Sequence, residues 1–108
     1  IVETYTLFEQ HWLNLINTKT VDETLNSDAY AQYFIKNVLQ DAIGYCGAEL
    51  IRRTIGLAHV VDIDSISDEN TRLDVQKQTL ALGEQLIINA CSCDTKDAFF
   101  SLLISQLN

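Results

Sequence analysis

Arg52 and Arg53 are the residues of this 108-residue sequence best suited to chemistry. Only 7 side chains are Lys or Arg, yet two of them stand side by side in the most apolar stretch. Neighbours on an α-helix point about 100° apart, at ~3.6 residues per turn. The spacing therefore predicts that at least one arginine leaves the solvent-facing stripe. A guanidinium is a planar fork of donors suited to phosphate or carboxylate. The residues leave two readings open. One is an anion site. The other is an internal ion pair with Glu49, Asp41 or an acid of the following connector, because structural ion pairs place charges in the same positions.

Other groups of chemical residue types are weaker. His59-x-x-Asp62-x-Asp64 has metal-ligand types without zinc spacing, and Ile66 and Ser67 stand where a calcium loop needs oxygen ligands and glycine. Acids that solvate a connector are the simpler reading. Cys91-x-Cys93 is half of a metal site, and Cys46 reads as a small core residue. No metal site is expected. Trp12, Tyr5, Tyr30, Tyr33 and Tyr45 read as core or groove packing, and His11 as a surface or satisfied histidine. The sequence has no glycine-rich phosphate loop, no His-Gly-Asp or His-Arg-Asp catalytic loop and no G-x-S-x-G elbow.

The elements that must position these residues are helical. Ile1, Tyr5, Phe8, Trp12, Leu15 and Ile16 recur at spacings of three and four, with a break from Asn17 to Thr20. Thr20-x-x-Glu23 has capping-box spacing. A long helix follows, capped by Asp28, with Tyr30, Phe34, Val38 and Leu39 as its stripe. It continues to Ala58 through Ile43, Cys46, Leu50, Ile51 and Ile55. Gly44, Gly47 and Ala48 inside it predict close approach of another backbone, since an interior glycine costs about 1 kcal/mol relative to alanine, with a kink near Gly44. His59 to Ser67 is a connector anchored by Val60, Val61, Ile63 and Ile66. Helix resumes from Asp68 to about Ala90, with Ser65 or Ser67 as cap. Leu73, Val75, Leu80, Leu82, Leu86 and Ile87 form its stripe. Cys91 to Asp94 interrupts it, and a last helix spans Thr95 to Leu107. The expected fold class is all-α, with four or five helices.

Composition bounds the function. Residues 1–108 read as a single helical domain, with about 6,000 Å² accessible when folded against roughly 17,500 Å² unfolded. The net charge is −8 and the isoelectric point about 4.4. That balance argues against nucleic acid, whose binders need a basic face. No apolar run approaches the ~18 residues of a membrane span, and the N-terminus has no signal-peptide pattern. Three cysteines fit a reducing cytoplasm. The sequence has no methionine, even at position 1. The expectation is that Ile1 is an internal residue of a longer protein.

One stretch goes further: Asp41-Ala-Ile-Gly-Tyr-Cys-Gly-Ala-Glu-Leu-Ile-Arg-Arg-Thr-Ile-Gly-Leu-Ala-His-Val-Val-Asp-Ile-Asp-Ser-Ile. It resembles the C-terminal region of the S-methyl-5-thioribose kinases. There a small-residue helix leads into Ile-Arg-Arg-x-x-Gly-x-Ala-His-Val and an acidic connector ending in Ser-Ile. The resemblance is tight over residues 37–66 and loose over 1–90. Residues 91–108 read as a lineage-specific tail. The resemblance implies the helical end of a protein-kinase-like fold similar to choline kinases and aminoglycoside phosphotransferases. The parent would use ATP and Mg²⁺ to phosphorylate methylthioribose at its 1-hydroxyl, in methionine salvage. The catalytic Asp, metal-binding acids and nucleotide contacts would lie upstream, outside this chain, so no cofactor is expected for the chain alone. Arg52 and Arg53 match the twin arginines that line the sugar site and face the phosphoryl group.

The expected function is thus a C-terminal kinase fragment, inactive alone, whose partners are methylthioribose in the parent and the missing N-terminal part. The rival from another class is a free-standing helical interaction module, with Phe99, Phe100, Leu102 and Leu103 as an exposed partner surface and a homodimer among its forms.

Overall fold

A computed structural model describes residues 2–19, 22, 27–57 and 60–107. Their ordered elements are all helical: α1 (Val2–Lys19), α2 (Asp28–Ile55), α3 (Val61–Asp64), α4 (Glu69–Asn89), a 3₁₀ turn (Ala90–Ser92) and α5 (Lys96–Leu107). Ile1 and the Thr20-x-x-Glu23 box lie outside the described residues. Helix α1 runs past the break expected at Asn17. The Thr18 hydroxyl donates to the Asn14 carbonyl at 2.7 Å and keeps the last turn closed.

Both long helices start on side-chain caps. Ser27, not Asp28, caps α2: its backbone is extended, and its Oγ accepts the Tyr30 N–H at 3.1 Å. Asp28 falls in the first turn, where its charge suits the positive end of the helix dipole. Asp68 caps α4 in place of Ser65 or Ser67. Its carboxylate accepts the Thr71 N–H at 2.8 Å and the Thr71 hydroxyl at 2.6 Å. A carboxylate is the stronger acceptor of the three candidates, and Thr71 stands at the matching distance. The connector is not wholly irregular. Val61–Asp64 forms one helical turn, with Val61 exposed and Ile63 and Ile66 half-buried. Arg72 holds the connector to α4 by donating to the Ile66 carbonyl at 3.1 Å.

The buried line of α2 is Ala31, Ile35, Leu39, Ile43 and Gly47. Leu39 and Ile43 belong to the expected stripe, whereas Tyr30, Phe34 and Val38 each stand one residue before a buried position. Steps of four residues advance about 40° beyond a full turn, so this row winds round the helix. Small and aliphatic residues occupy the line of contact, and the rings flank it. Phe34 stacks on Trp12 of α1, centroids 4.4 Å apart and 15° between planes. Tyr33 is exposed, unlike the packing expected of it, and Tyr45 is exposed on the rim of a groove rather than in the core. Cys46 is exposed as well, not a core residue.

Helices α2 and α4 pack along each other and meet closest at two glycines. A Cβ on Gly47 would stand 2.6 Å from the Gly83 carbonyl oxygen, and one on Gly83 would stand 2.9 Å from the Gly47 oxygen. Gly44 has room: a Cβ there would meet the Ala90 Cβ at 3.9 Å. The tight crossing expected of the glycine-bearing segment is therefore at Gly47, and α2 runs unbroken through Gly44.

The core joins Leu39 and Ile43 of α2 to Leu86, Ala90, Cys93 and Phe99. Phe100, Leu102 and Leu103 pack against it, so the expected partner surface on α5 is largely turned inward. Polar ties hold the C-terminal part in place. Lys36 pairs with Asp94 at 2.9 Å, Gln40 donates to the Cys91 carbonyl at 2.8 Å, and Lys96 reaches Glu9 of α1 at 3.3 Å.

The molecule is long, 57 × 25 × 21 Å, with a radius of gyration of 17.5 Å where a compact chain of this length would have about 13 Å. Its accessible surface is 7569 Å², roughly a quarter above the size-scaled expectation. No helix among the described residues is long and apolar enough to cross a membrane.

Candidate functional site

The arginine pair sits in the last turn of α2. The negative end of the helix dipole favours cations there. The helix stops at Gly56, whose N–H donates to the Arg52 carbonyl at 2.8 Å. A Cβ at Gly56 would collide with that same oxygen. The end of the helix and the arginine backbone are thus fixed together.

Both arginines face solvent, with side chains 55% and 47% exposed. This corrects the expectation that one would leave the solvent-facing stripe. Glu49 makes the arrangement workable. It precedes Arg52 by three residues and Arg53 by four, the two spacings that bring helix side chains together. Its carboxylate accepts from Arg52 Nε at 2.7 Å and from Nη2 at 2.6 Å, and from Arg53 Nε at 2.9 Å. Of the acids proposed from sequence, Glu49 holds both arginines, and its spacing is the signal that singles it out. Hydrogen bonds from Arg52 and then Arg53 hold the Glu49 carboxyl down at about 2. The same contact raises Arg52 above its ordinary value.

The ion pair does not exhaust the donors. A guanidinium carries five N–H bonds. Arg52 commits two of them to Glu49 and Arg53 commits one. Both Nη groups of Arg53 and the Nη1 of Arg52 make no further hydrogen bond to the described residues. One carboxylate against two guanidiniums leaves a net charge of about +1 on this turn. The ion-pair and anion-site readings are therefore compatible: the same side chains can be held by Glu49 and still present a positive donor edge.

Neither arginine lines the two larger grooves. One, of about 440 Å³, runs beside Asp41, Tyr45, Ala48, Ile87 and Cys91. The other, of about 470 Å³ and almost wholly apolar, lies between α1 and α2 along Tyr5, Phe8, Val38 and Ala42. His59 lies outside the described residues, while Asp62 and Asp64 are exposed on α3. Among the described residues no three of His, Cys, Asp and Glu gather into a metal-holding group. Cys91 is exposed and Cys93 buried. Burial, and then the charge of Asp94, push the Cys93 thiol up, which keeps it protonated. His11 is exposed on α1.

No family model matches the sequence. Individual relatives do. The chain is 51% identical over 90 residues to the methylthioribose kinase of Yersinia enterocolitica, covering 83% of this chain and 23% of that protein. It is 52% identical over 87 residues to the methylthioribose kinase of Yersinia pseudotuberculosis, covering 81% and 21%. It is 42% identical over 98 residues to the methylthioribose kinase of an Enterobacter species, covering 91% and 25%. The chain spans between a fifth and a quarter of the length of these curated relatives. Over that one segment, the chain is a relative of the methylthioribose kinases.

Proposed function

We propose that this chain is the C-terminal helical part of a cytoplasmic, ATP-dependent methylthioribose kinase. In this reading it supplies Arg52 and Arg53 to the sugar and phosphoryl site and is inactive alone. The observation that carries the proposal is the half-identity, over four-fifths of the chain, to proteins named methylthioribose kinase.

The arginine pair suits the chemistry. Phosphoryl transfer asks little covalent work of the protein. It asks for in-line positioning and for donors aimed at charge on the phosphoryl oxygens. The N–H groups of Arg52 and Arg53 that Glu49 does not engage are donors of that kind, on the end of a long helix that is packed along α4. Glu49 does not serve as the base that takes the sugar proton, because two guanidiniums hold it ionised far below neutral pH. The nucleotide, the metal and the base belong to the remainder of the kinase. The excess surface and the apolar groove on α1 and α2 give that remainder a place to pack.

The test is phosphoryl transfer from ATP to methylthioribose, followed by ADP release. The full-length protein containing this segment is expected to turn over, and the 108-residue chain is expected to show none. Failure of the full-length protein to phosphorylate methylthioribose would overturn the reading.

A further inference from the structure

We propose that Glu49 is a positioning residue for the Arg52–Arg53 pair, holding one guanidinium bidentately and the other by its Nε so that their remaining N–H groups form a single donor edge. This rests on the reading of the pair as part of the phosphoryl site. It goes beyond that reading by assigning the orientation of the edge to a third residue.

The geometry separates this from an ordinary surface brace. Exposed ion pairs contribute little to stability, because two long side chains lose freedom and water competes. A brace for the helix would need only one contact. Here a single carboxylate serves both arginines, with Oε1 accepting from each of them. The bidentate contact fixes the plane of the Arg52 guanidinium, since Nε and Nη2 are both engaged. Arg53 is held by Glu49 only at Nε, the atom nearest its stem, so Glu49 does not occupy its two Nη groups. The contacts therefore take one edge of the Arg52 fork, Nε and Nη2, and only the Nε of Arg53, and neither Arg52 Nη1 nor the Arg53 Nη groups are used by Glu49. Both side chains are about half exposed, and packing alone would leave them several rotamers. Two adjacent guanidiniums also repel each other, and the shared carboxylate offsets that repulsion.

Orientation and bracing make different predictions when Glu49 is changed. Glu49→Gln keeps the length and one acceptor oxygen but cannot accept from Arg52 bidentately. It also leaves the turn more positive. If Glu49 acts by orientation, kcat for methylthioribose falls about tenfold while KM for the sugar does not rise. If it only braces the helix, melting temperature falls and kcat follows the folded fraction.

The experiment measures kcat, KM and melting temperature in the full-length kinase containing this segment. The variants are Glu49→Gln, Glu49→Asp, Arg52→Ala and the Glu49→Gln/Arg52→Ala pair. The expected result is a kcat loss for Glu49→Gln at unchanged melting temperature, partial recovery in Glu49→Asp, and a double variant no slower than Arg52→Ala alone. Impaired Arg52→Ala with wild-type Glu49→Gln would overturn the positioning role and leave the arginine reading standing. A kcat loss in Glu49→Gln that tracks a fall in melting temperature would also overturn it. Wild-type turnover in Arg52→Ala would instead remove the reading beneath it.

Discussion

At the scale of single residues, the site is one carboxylate shared by two guanidiniums. The Glu49 carboxyl lies at about 2, well under its ordinary value. A carboxyl with a folded value below its unfolded one contributes above the unfolded value and loses that contribution as pH falls through the folded one. The contact is therefore intact across the neutral range and opens only as pH approaches 2. Carboxyl-carbon NMR should show Glu49 titrating close to 2. A midpoint in the ordinary glutamate range would mean that the contact does not persist in solution. Asp68 is shifted in the same direction, by hydrogen bonds from the Thr71 side chain and backbone. Acid should thus fray the first turn of α4 as well. The arginines were legible in the sequence because two charges in an apolar helix need a reason. Their shared exposure was not legible from the 100° offset alone. It depends on Glu49 lying between them, and the same sequence also offered Asp41 and the connector acids.

At the scale of elements, α2 and α4 define the molecule, and their crossing turns on glycine positions that sequence alone does not rank. Gly44 and Gly47 look alike as interior small residues. Only the packing shows that Gly47 meets the Gly83 backbone and Gly44 meets a methyl group. Gly47→Ala should destabilise by about 1–3 kcal/mol, because a backbone carbonyl cannot move aside as a side chain can. Gly44→Ala should be neutral or stabilise by up to about 1 kcal/mol, the helix-propensity difference between the two residues. Thermal unfolding of both variants checks the pair; the reverse order would place the crossing elsewhere. Ser27→Ala should cost about 1 kcal/mol through the lost α2 cap, whereas Asp28→Ala should cost less. The helical class, the break at Cys91–Asp94 and the extent of α5 could all be read from periodicity. The one-residue slip at Tyr30, Phe34 and Val38 could not, although Leu39 and Ile43 of the same stripe are buried as expected. Tyr30 and Phe34 are the more hydrophobic-looking choices, but Phe34 stacks on Trp12 of α1 and the smaller Ala31 and Ile35 take the buried line.

At the scale of the whole molecule, the shape is long, 57 × 25 × 21 Å, and the accessible surface is large for a chain of this length. Phe8, on the apolar groove of α1 and α2, is 39% exposed. If the remainder of the kinase packs there, Phe8→Ala should destabilise the full-length protein by about 1 kcal/mol more than the 108-residue chain, since the rest of the ring would be buried. Equal effects in both would place the remainder on another face. The central claim is that this segment brings Arg52 and Arg53 to the transferring phosphoryl group. Steady-state kinetics of Arg52→Ala and Arg53→Ala in the full-length kinase test it most directly. The expected result is a fall in kcat/KM for methylthioribose of about 10²-fold or more, with ATP binding little changed and only partial rescue by lysine. Wild-type kcat/KM in both variants would contradict it.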